Sequence, residues 1–193
     1  MRYEIRLSGA GGQGLILAGV ILAEAAGIYD GRYVCQSQSY GPEARGGACK
    51  SEIIISDEEI DYPKVTRPDL LLAMNQRSCD LYFFDLKQDG ILIVDGTFDK
   101  QLPTTRAISI PFTKIAKERI GNEVAANMVA LGAIVTITKV VSLNSLETAM
   151  LNRVPKGTEK LNKAAMEIGI EVAKDYLLQE REVKTSYASP SDE

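Results

Sequence analysis

Two short segments carry the residue types that could do chemistry in this chain: Gly9-Ala10-Gly11-Gly12-Gln13-Gly14 and, further on, Glu43-Ala44-Arg45-Gly46-Gly47. The first has the Gly9-x-Gly11-x-x-Gly14 spacing of a dinucleotide turn. There, glycines permit a tight bend and the next helix offers its N-terminal amides to an anion. A nicotinamide reading also needs an acidic residue about 20 positions on, to hold the ribose. That region is Val34-Cys35-Gln36-Ser37; Asp30 comes too early and Glu43 lies deep in the next loop. Three readings stay open: close packing of strand on helix, a phosphate or pyrophosphate site unrelated to NAD, and NAD(P) binding. The Gln13 carboxamide could donate to a bound anion.

The second segment follows Ser39-Tyr40-Gly41-Pro42 and puts opposite charges beside a glycine pair. Pro42 restricts the backbone, while Gly46 and Gly47 reach conformations closed to other residues. Arg45 has the fork that clamps a carboxylate or phosphate, and Glu43 can pair with it or face a substrate donor. Composition alone favours an ordinary solvated loop with a local Glu43–Arg45 contact.

The elements that must position these residues are legible from apolar spacing. Tyr3 to Ser8 alternates and reads as a strand ahead of the glycine turn; Gln13 to Ile28 reads as a mostly buried helix broken at Asp30-Gly31. Further strands are expected at Tyr33–Gln36, Cys49–Ile55, Asp69–Met74, Ile91–Val94 and, more weakly, Arg106–Ile110, with Ser37 to Gly47 as loop. Helices are expected at Asn75–Leu86, Thr113–Ile120, Glu123–Lys139, Leu146–Arg153 and Thr158–Leu178. Short apolar strands alternating with helices predict an α/β fold, a Rossmann-like three-layer sandwich with a mainly parallel sheet and a helix-rich C-terminal half. Residues 1–180 form a single domain in this reading, and 181–193 a polar, disordered tail. Arg2 and Arg6 before the apolar run from Leu15 resemble a leader only superficially, because Glu4 and the glycine turn intervene.

Composition narrows the chemistry. The 193 residues are 45% hydrophobic and carry a net charge of −4, which suits one compact domain and gives no basic face for nucleic acid. There is no His and there are only three Cys, so imidazole metal sites and His acid–base catalysis are excluded within the chain. Cys35, Cys49 and Cys79 are too scattered for an iron–sulfur cluster and fit a reducing cytoplasm. No apolar run is long enough to suggest a membrane span.

Asn122 after Gly121 is a natural helix N-cap. Asn127, inside an apolar helix, is read three ways: bonded to the glycine turn, bonded to a partner, or satisfied locally. Taken together, the glycine turn, Ser39-Tyr40-Gly41-Pro42-Glu43-Ala44-Arg45-Gly46-Gly47, and Asn122 and Asn127 within Asn122 to Gly132 resemble the gamma subunit of 2-oxoacid:ferredoxin oxidoreductases, in the form closest to the 2-oxoglutarate enzymes. The resemblance spans about Ile5 to Tyr176.

It implies a cytoplasmic, oxygen-sensitive enzyme of anaerobic metabolism that oxidatively decarboxylates a 2-oxoacid to its acyl-CoA with ferredoxin as acceptor. The oxoacid is 2-oxoglutarate by preference, with pyruvate, branched-chain oxoacids or indolepyruvate as variants. It further implies thiamine diphosphate, magnesium and iron–sulfur clusters on alpha, beta and delta partners, and coenzyme A at a shared interface. Ferredoxin would be met through the complex. On this reading Gly9, Gly11, Gly12, Gln13, Gly14, Glu43, Arg45, Gly46 and Gly47 position ligands on the coenzyme A and thiamine side. Asn122 and Asn127 are structural, and the isolated chain holds no catalytic residue, metal or membrane contact of its own. The alternatives are a stand-alone NAD(P)-binding protein and an assembly subunit without ligand contact.

Overall fold

The computed structural model describes residues 1–40, 48–98 and 101–188. Six strands form one sheet in the order β2-β3-β1-β4-β5-β6: β1 (Arg2–Ala10), β2 (Tyr33–Tyr40), β3 (Ala48–Ser56), β4 (Leu70–Ala73), β5 (Ile91–Asp95) and β6 (Ile108–Ile110). β1, β4, β5 and β6 are parallel neighbours. β3 pairs antiparallel with both β1 and β2, so it alone runs against the rest. The expected α/β architecture holds, with one reversed strand inside it.

Ser37–Tyr40, expected as loop, continue β2. Their polar side chains hid the strand: both faces of its end are exposed, so no apolar alternation was needed there.

Strand parity divides the sheet. Tyr3, Ile5 and Leu7 of β1 share a face with Ile53 and Ile55 of β3, and α1 (Leu15–Glu24) packs on it. The short α3 (Phe112–Ile115) follows β6, and behind α1 lie α4 (Ala126–Thr138), α5 (Leu143–Arg153) and α6 (Glu159–Ala188). The core runs from Ile5, Leu7 and Ile21 through Val129, Leu131 and Ile134 to Ala165 and Ala173. Full burial of each large aliphatic chain contributes roughly 1.5–3 kcal/mol. The opposite face carries a smaller cluster, Leu71, Ala73, Leu92 and Val94 under Cys79 of α2 (Gln76–Tyr82). The terminal helix runs on to Ala188, into the segment read as a tail.

On that second face β1 presents Arg6, only 3% exposed. Its guanidinium donates to Glu52 at 2.7 Å and to Asp85, and lies 5.0 Å from the Tyr82 ring centroid. Lys50 joins Glu52 at 2.9 Å. A buried arginine needs such partners, because an unpaired charge out of water is costly.

At the bottom edge α1 widens into a π-helical turn, Ala25–Tyr29, that ends at Asp30. Asp30 accepts from the Ser142 amide at 2.8 Å and from the Ser142 and Ser145 hydroxyls, bracing Ser142, the N-cap of α5. Burial alone would push its carboxyl up; the Ser145 hydroxyl, the Ser142 amide and hydroxyl and the Arg32 charge outweigh it and hold the pKa below the usual value. A depressed native pKa stabilises the fold above the unfolded value of about 3.9, and that contribution is lost as pH falls through the native one. Asp30→Asn is therefore expected to flatten this part of the acid limb below about pH 4 in urea melts. An unchanged acid limb would contradict the assignment.

Candidate functional site

The glycine turn closes the C-terminal end of β1. The Gln13 amide donates to the Ala10 carbonyl at 3.3 Å, and the Ala10 amide donates to Gln13 Oε1 at 2.7 Å. Gln13 Nε2 reaches the Met74 carbonyl at 3.5 Å. The carboxamide is thus turned inward as a brace of the turn. Gly12 (φ 92°) and Gly14 (φ 70°) occupy the left-handed region that favours glycine. Gly14 is also the N-cap of α1, and among the described residues no side chain caps that helix.

The glycines of the motif divide by role. A Cβ on Gly9 would fall 2.3 Å from Gln13 Oε1, and one on Gly14 would fall 2.3 Å from Asn127 Nδ2. These two are glycine because the turn is packed from behind. Among the described residues a Cβ on Gly11 or Gly12 would meet nothing within 4 Å, and both glycines are exposed.

Asn127 settles into one of its three readings. It is 5% exposed; Nδ2 donates to the Gly14 carbonyl at 3.0 Å and Oδ1 accepts from the Met128 amide at 2.8 Å. One side chain pins the start of α4 to the start of α1. Asn122 caps the 3-10 turn that leads into α4, accepting from the Val124 amide at 3.0 Å.

Beside the turn lies a crevice of about 210 Å³ lined by Gly12, Gln13, Met74, Phe98, Thr113, Glu123, Val124 and Ala126. It sits at the carboxyl ends of the parallel strands. There α1, following β1, covers one face and α2, following β4, covers the other, which is the place where open α/β sheets bind ligands. Sequence reasoning missed one of its supports. Asp95, 1% exposed at the end of β5, accepts from the Thr97 amide at 3.0 Å and from the Thr113 amide and hydroxyl, fixing that wall. The Asp95-Gly96 pair was the available signal, but it read only as a strand end. Exposed apolar side chains, Phe98 (46%) and Val124 (63%), rim the opening. A larger hollow of about 570 Å³ at the far end of α4 holds none of the motif residues.

Glu43, Arg45, Gly46 and Gly47 lie outside the described residues. The register nevertheless fixes where their segment is anchored. Tyr40 pairs with Cys49, and Cys49 pairs with Gly9; Ala48 pairs with Ala10. Both ends of the 41–47 connection therefore stand at the same sheet edge as the glycine turn. At the end of β2 no carboxylate takes the place of a ribose acid among the described residues, and Asp30 is engaged at the opposite edge.

A glycine turn braced by two carboxamides, at the carboxyl edge of a Rossmann-like sheet, agrees with the wider likeness of the chain. It belongs to the pyruvate ferredoxin/flavodoxin oxidoreductase family, whose model matches residues 4–172. It is 52% identical to the 2-oxoglutarate synthase subunit KorC of Methanocaldococcus jannaschii, over 91% of this chain and 96% of that one. It is similar to the solved gamma subunit of the keto/oxoacid ferredoxin oxidoreductase of Geobacter sulfurreducens PCA, at 52% identity and a TM-score of 0.81, covering 90% of this chain and 99% of that one. The fold also recurs, at 24% identity and a TM-score of 0.78, in the 2-oxoglutarate:ferredoxin oxidoreductase of Magnetococcus marinus, covering 90% of this chain and 31% of that one. The class read from the motifs, the gamma-type subunit of a 2-oxoacid:ferredoxin oxidoreductase, stands on these likenesses. Its partners are other subunits of such an enzyme. Among the described residues no helix is long and apolar enough to cross a membrane.

Proposed function

We propose that this chain is the gamma subunit of a cytoplasmic 2-oxoglutarate:ferredoxin oxidoreductase and that its glycine turn holds a phosphate-bearing part of coenzyme A at an interface with partner subunits. The carrying observation is the division of the turn. Gly9 and Gly14 are filled from behind by Gln13 and Asn127, while Gly11 and Gly12 are exposed beside a helix N-terminus that no side chain among the described residues caps. Backbone amides at such an end favour an anion by partial charge and by hydrogen bonding. The residues fit that group: small, uncharged and open. In this reading Arg45 and Glu43, in the sequence between β2 and β3, supply the guanidinium and carboxylate that orient the ligand.

A crevice of about 210 Å³ is smaller than the roughly 300–1,000 Å³ of a complete drug-sized site. Coenzyme A is larger still, so the remainder of its enclosure falls to partners, and the apolar rim at Phe98 and Val124 is where they would close over it. Thiamine diphosphate with magnesium and the iron–sulfur clusters belong in this reading to the alpha, beta and delta partners, where they supply decarboxylation and electron transfer to ferredoxin. This chain binds and orients; it moves no proton and holds no electron. The preference for 2-oxoglutarate rests on the likeness to 2-oxoglutarate synthase subunits.

Gly11→Asp tests the reading in the assembled enzyme. Its side chain enters open space, at a residue whose φ is not positive, so the melting temperature should hold. A carboxylate at the anion site should raise the coenzyme A KM at least about tenfold, a 1.4 kcal/mol effect. Arg45→Ala should raise it too. Unchanged coenzyme A KM in both variants, or tight NADH binding by the isolated chain, would overturn the proposal.

A further inference from the structure

α4 and α6 press their main chains together at Gly132 and Gly169 and then part. Where α4 ends and α5 begins, the parting leaves a hollow of about 570 Å³, within the roughly 300–1,000 Å³ of small-molecule sites. Its wall is aliphatic, from Val135, Val141, Leu143 and Leu177, and among the described residues its only charged members are Lys139 and Lys174.

Both lysines are exposed, and among the described residues neither ammonium has a hydrogen-bond or ion-pair partner. The carboxylates around them are engaged elsewhere: Asp30 by Ser142 and Ser145, Glu147 by Lys163 and Glu171 by Arg119. Asp175 follows Lys174 on α6 and so stands about 100° round the helix from it. Lys139 is unusual in its own backbone. It ends α4 at φ 54° and is the one non-glycine residue with a positive φ among the described residues. Glycine or asparagine is the usual occupant of such a helix end. The helix dipole accounts for a cation there. It does not account for a second cation, brought from α6 to the same hollow.

We infer that this hollow is a binding site for a free apolar carboxylic acid, its carboxylate taken by the Lys139 and Lys174 ammoniums and its hydrocarbon body laid on the aliphatic wall. The inference goes beyond the coenzyme A reading, since the hollow holds none of the glycine-turn residues. The lining selects the class. Its two hydroxyls already donate within the fold, Thr136 to the Gly132 carbonyl at 2.8 Å and Ser142 to Asp30 at 3.1 Å. What they leave is positive charge over apolar surface, the complement of a fatty acid rather than of a sugar or a nucleotide. Ammonium groups act as point charges with rotatable donors, so they take one anionic head without demanding a planar fork. Burying the hydrocarbon body then supplies the larger part of the affinity.

Dodecanoate is the probe, titrated below its micellar range by calorimetry into the full chain and into the assembled enzyme. It should bind saturably in both, one molecule per copy of this chain. Dodecanol should bind about tenfold more weakly, and dodecylammonium not at all. Lys139→Gly removes one ammonium and relieves the left-handed backbone, so dodecanoate should weaken about tenfold while the melting temperature holds or rises. Lys174→Gln, at an exposed position, should weaken it similarly with the fold intact. Absence of saturable binding, equal affinity for dodecanol, or indifference to both lysine variants would each overturn the inference. So would loss of the site on assembly, which would make the hollow a contact with another subunit. Gly11→Asp should leave dodecanoate binding unchanged, so the coenzyme A reading stands or falls separately.

Discussion

Gly169→Ala is expected to destabilise the fold by about 2–3 kcal/mol, although helix propensity alone predicts a gain of roughly 0.5–1. The sign is decided by what stands against the missing Cβ. It would fall 2.0 Å from the Val129 carbonyl oxygen and 2.8 Å from its carbon. The reciprocal position is as tight: a Cβ on Gly132 would fall 2.2 Å from the Met166 carbonyl oxygen. These are main-chain atoms of a packed helix, so no flexible tip can swing aside, and α4 must move off α6 bodily. That crossing joins the helix that carries Asn127 to the longest helix in the fold, and it buries Val129, Ala133, Ala165 and Ala173 around it. Urea melts of the full chain would measure the loss; in heat it corresponds to a drop of about 4–12 °C for a chain of this size. A neutral or stabilising result would mean that the helices part at little cost, contrary to this packing.

Asn127→Leu is expected to cost a similar amount, roughly 3 kcal/mol, for a different reason. The shape is nearly kept, but the Met128 amide loses its acceptor and the Gly14 carbonyl loses one of its two donors, the other being the Ala18 amide at 3.0 Å. Buried polar groups left without partners cost about 1–3 kcal/mol each. Asn127→Asp separates the two bonds, because its carboxylate still accepts from Met128 yet turns an oxygen toward the Gly14 carbonyl. Loss by both variants would assign the larger share to the tie with the glycine turn. Loss by the leucine variant alone would assign it to the start of α4, and a loss below about 1 kcal/mol in both would remove Asn127 as the pin.

Much of this was legible before the coordinates. Apolar runs such as Ile53-Ile54-Ile55 and Leu70-Leu71-Leu72 named their strands because burial demanded those side chains. Direction was not legible: nothing in Ala48 to Ser56 says that β3 runs backwards, since strand sense resides in pairing rather than in side-chain type. The reversed strand matters to the site, for it is what returns the 41–47 connection to the edge of the glycine turn. Arg6 was likewise opaque. Alone it resembled a basic residue near the N-terminus; only the register that brings Glu52 opposite it, and the fold that brings Asp85 and Tyr82 over it, give the charge a home. The glycine spacing announced a turn, but not that Gly9 and Gly14 are packed from behind while Gly11 and Gly12 stay exposed. That distinction depends on Gln13 folding back and on Asn127, 113 residues away in sequence, reaching in.

One side chain beneath the turn has a use of its own. Cys49, 4% exposed, donates its thiol to the Ala10 carbonyl at 3.5 Å, and burial pushes its pKa up against the opposing pull of a backbone hydrogen bond. A shielded, protonated thiol is a slow nucleophile. It can be alkylated or oxidised only when β1 and β3 part at this end, an opening far rarer than the flicker of exposed loops. Its rate of modification is therefore a built-in clock for how often the site comes undone.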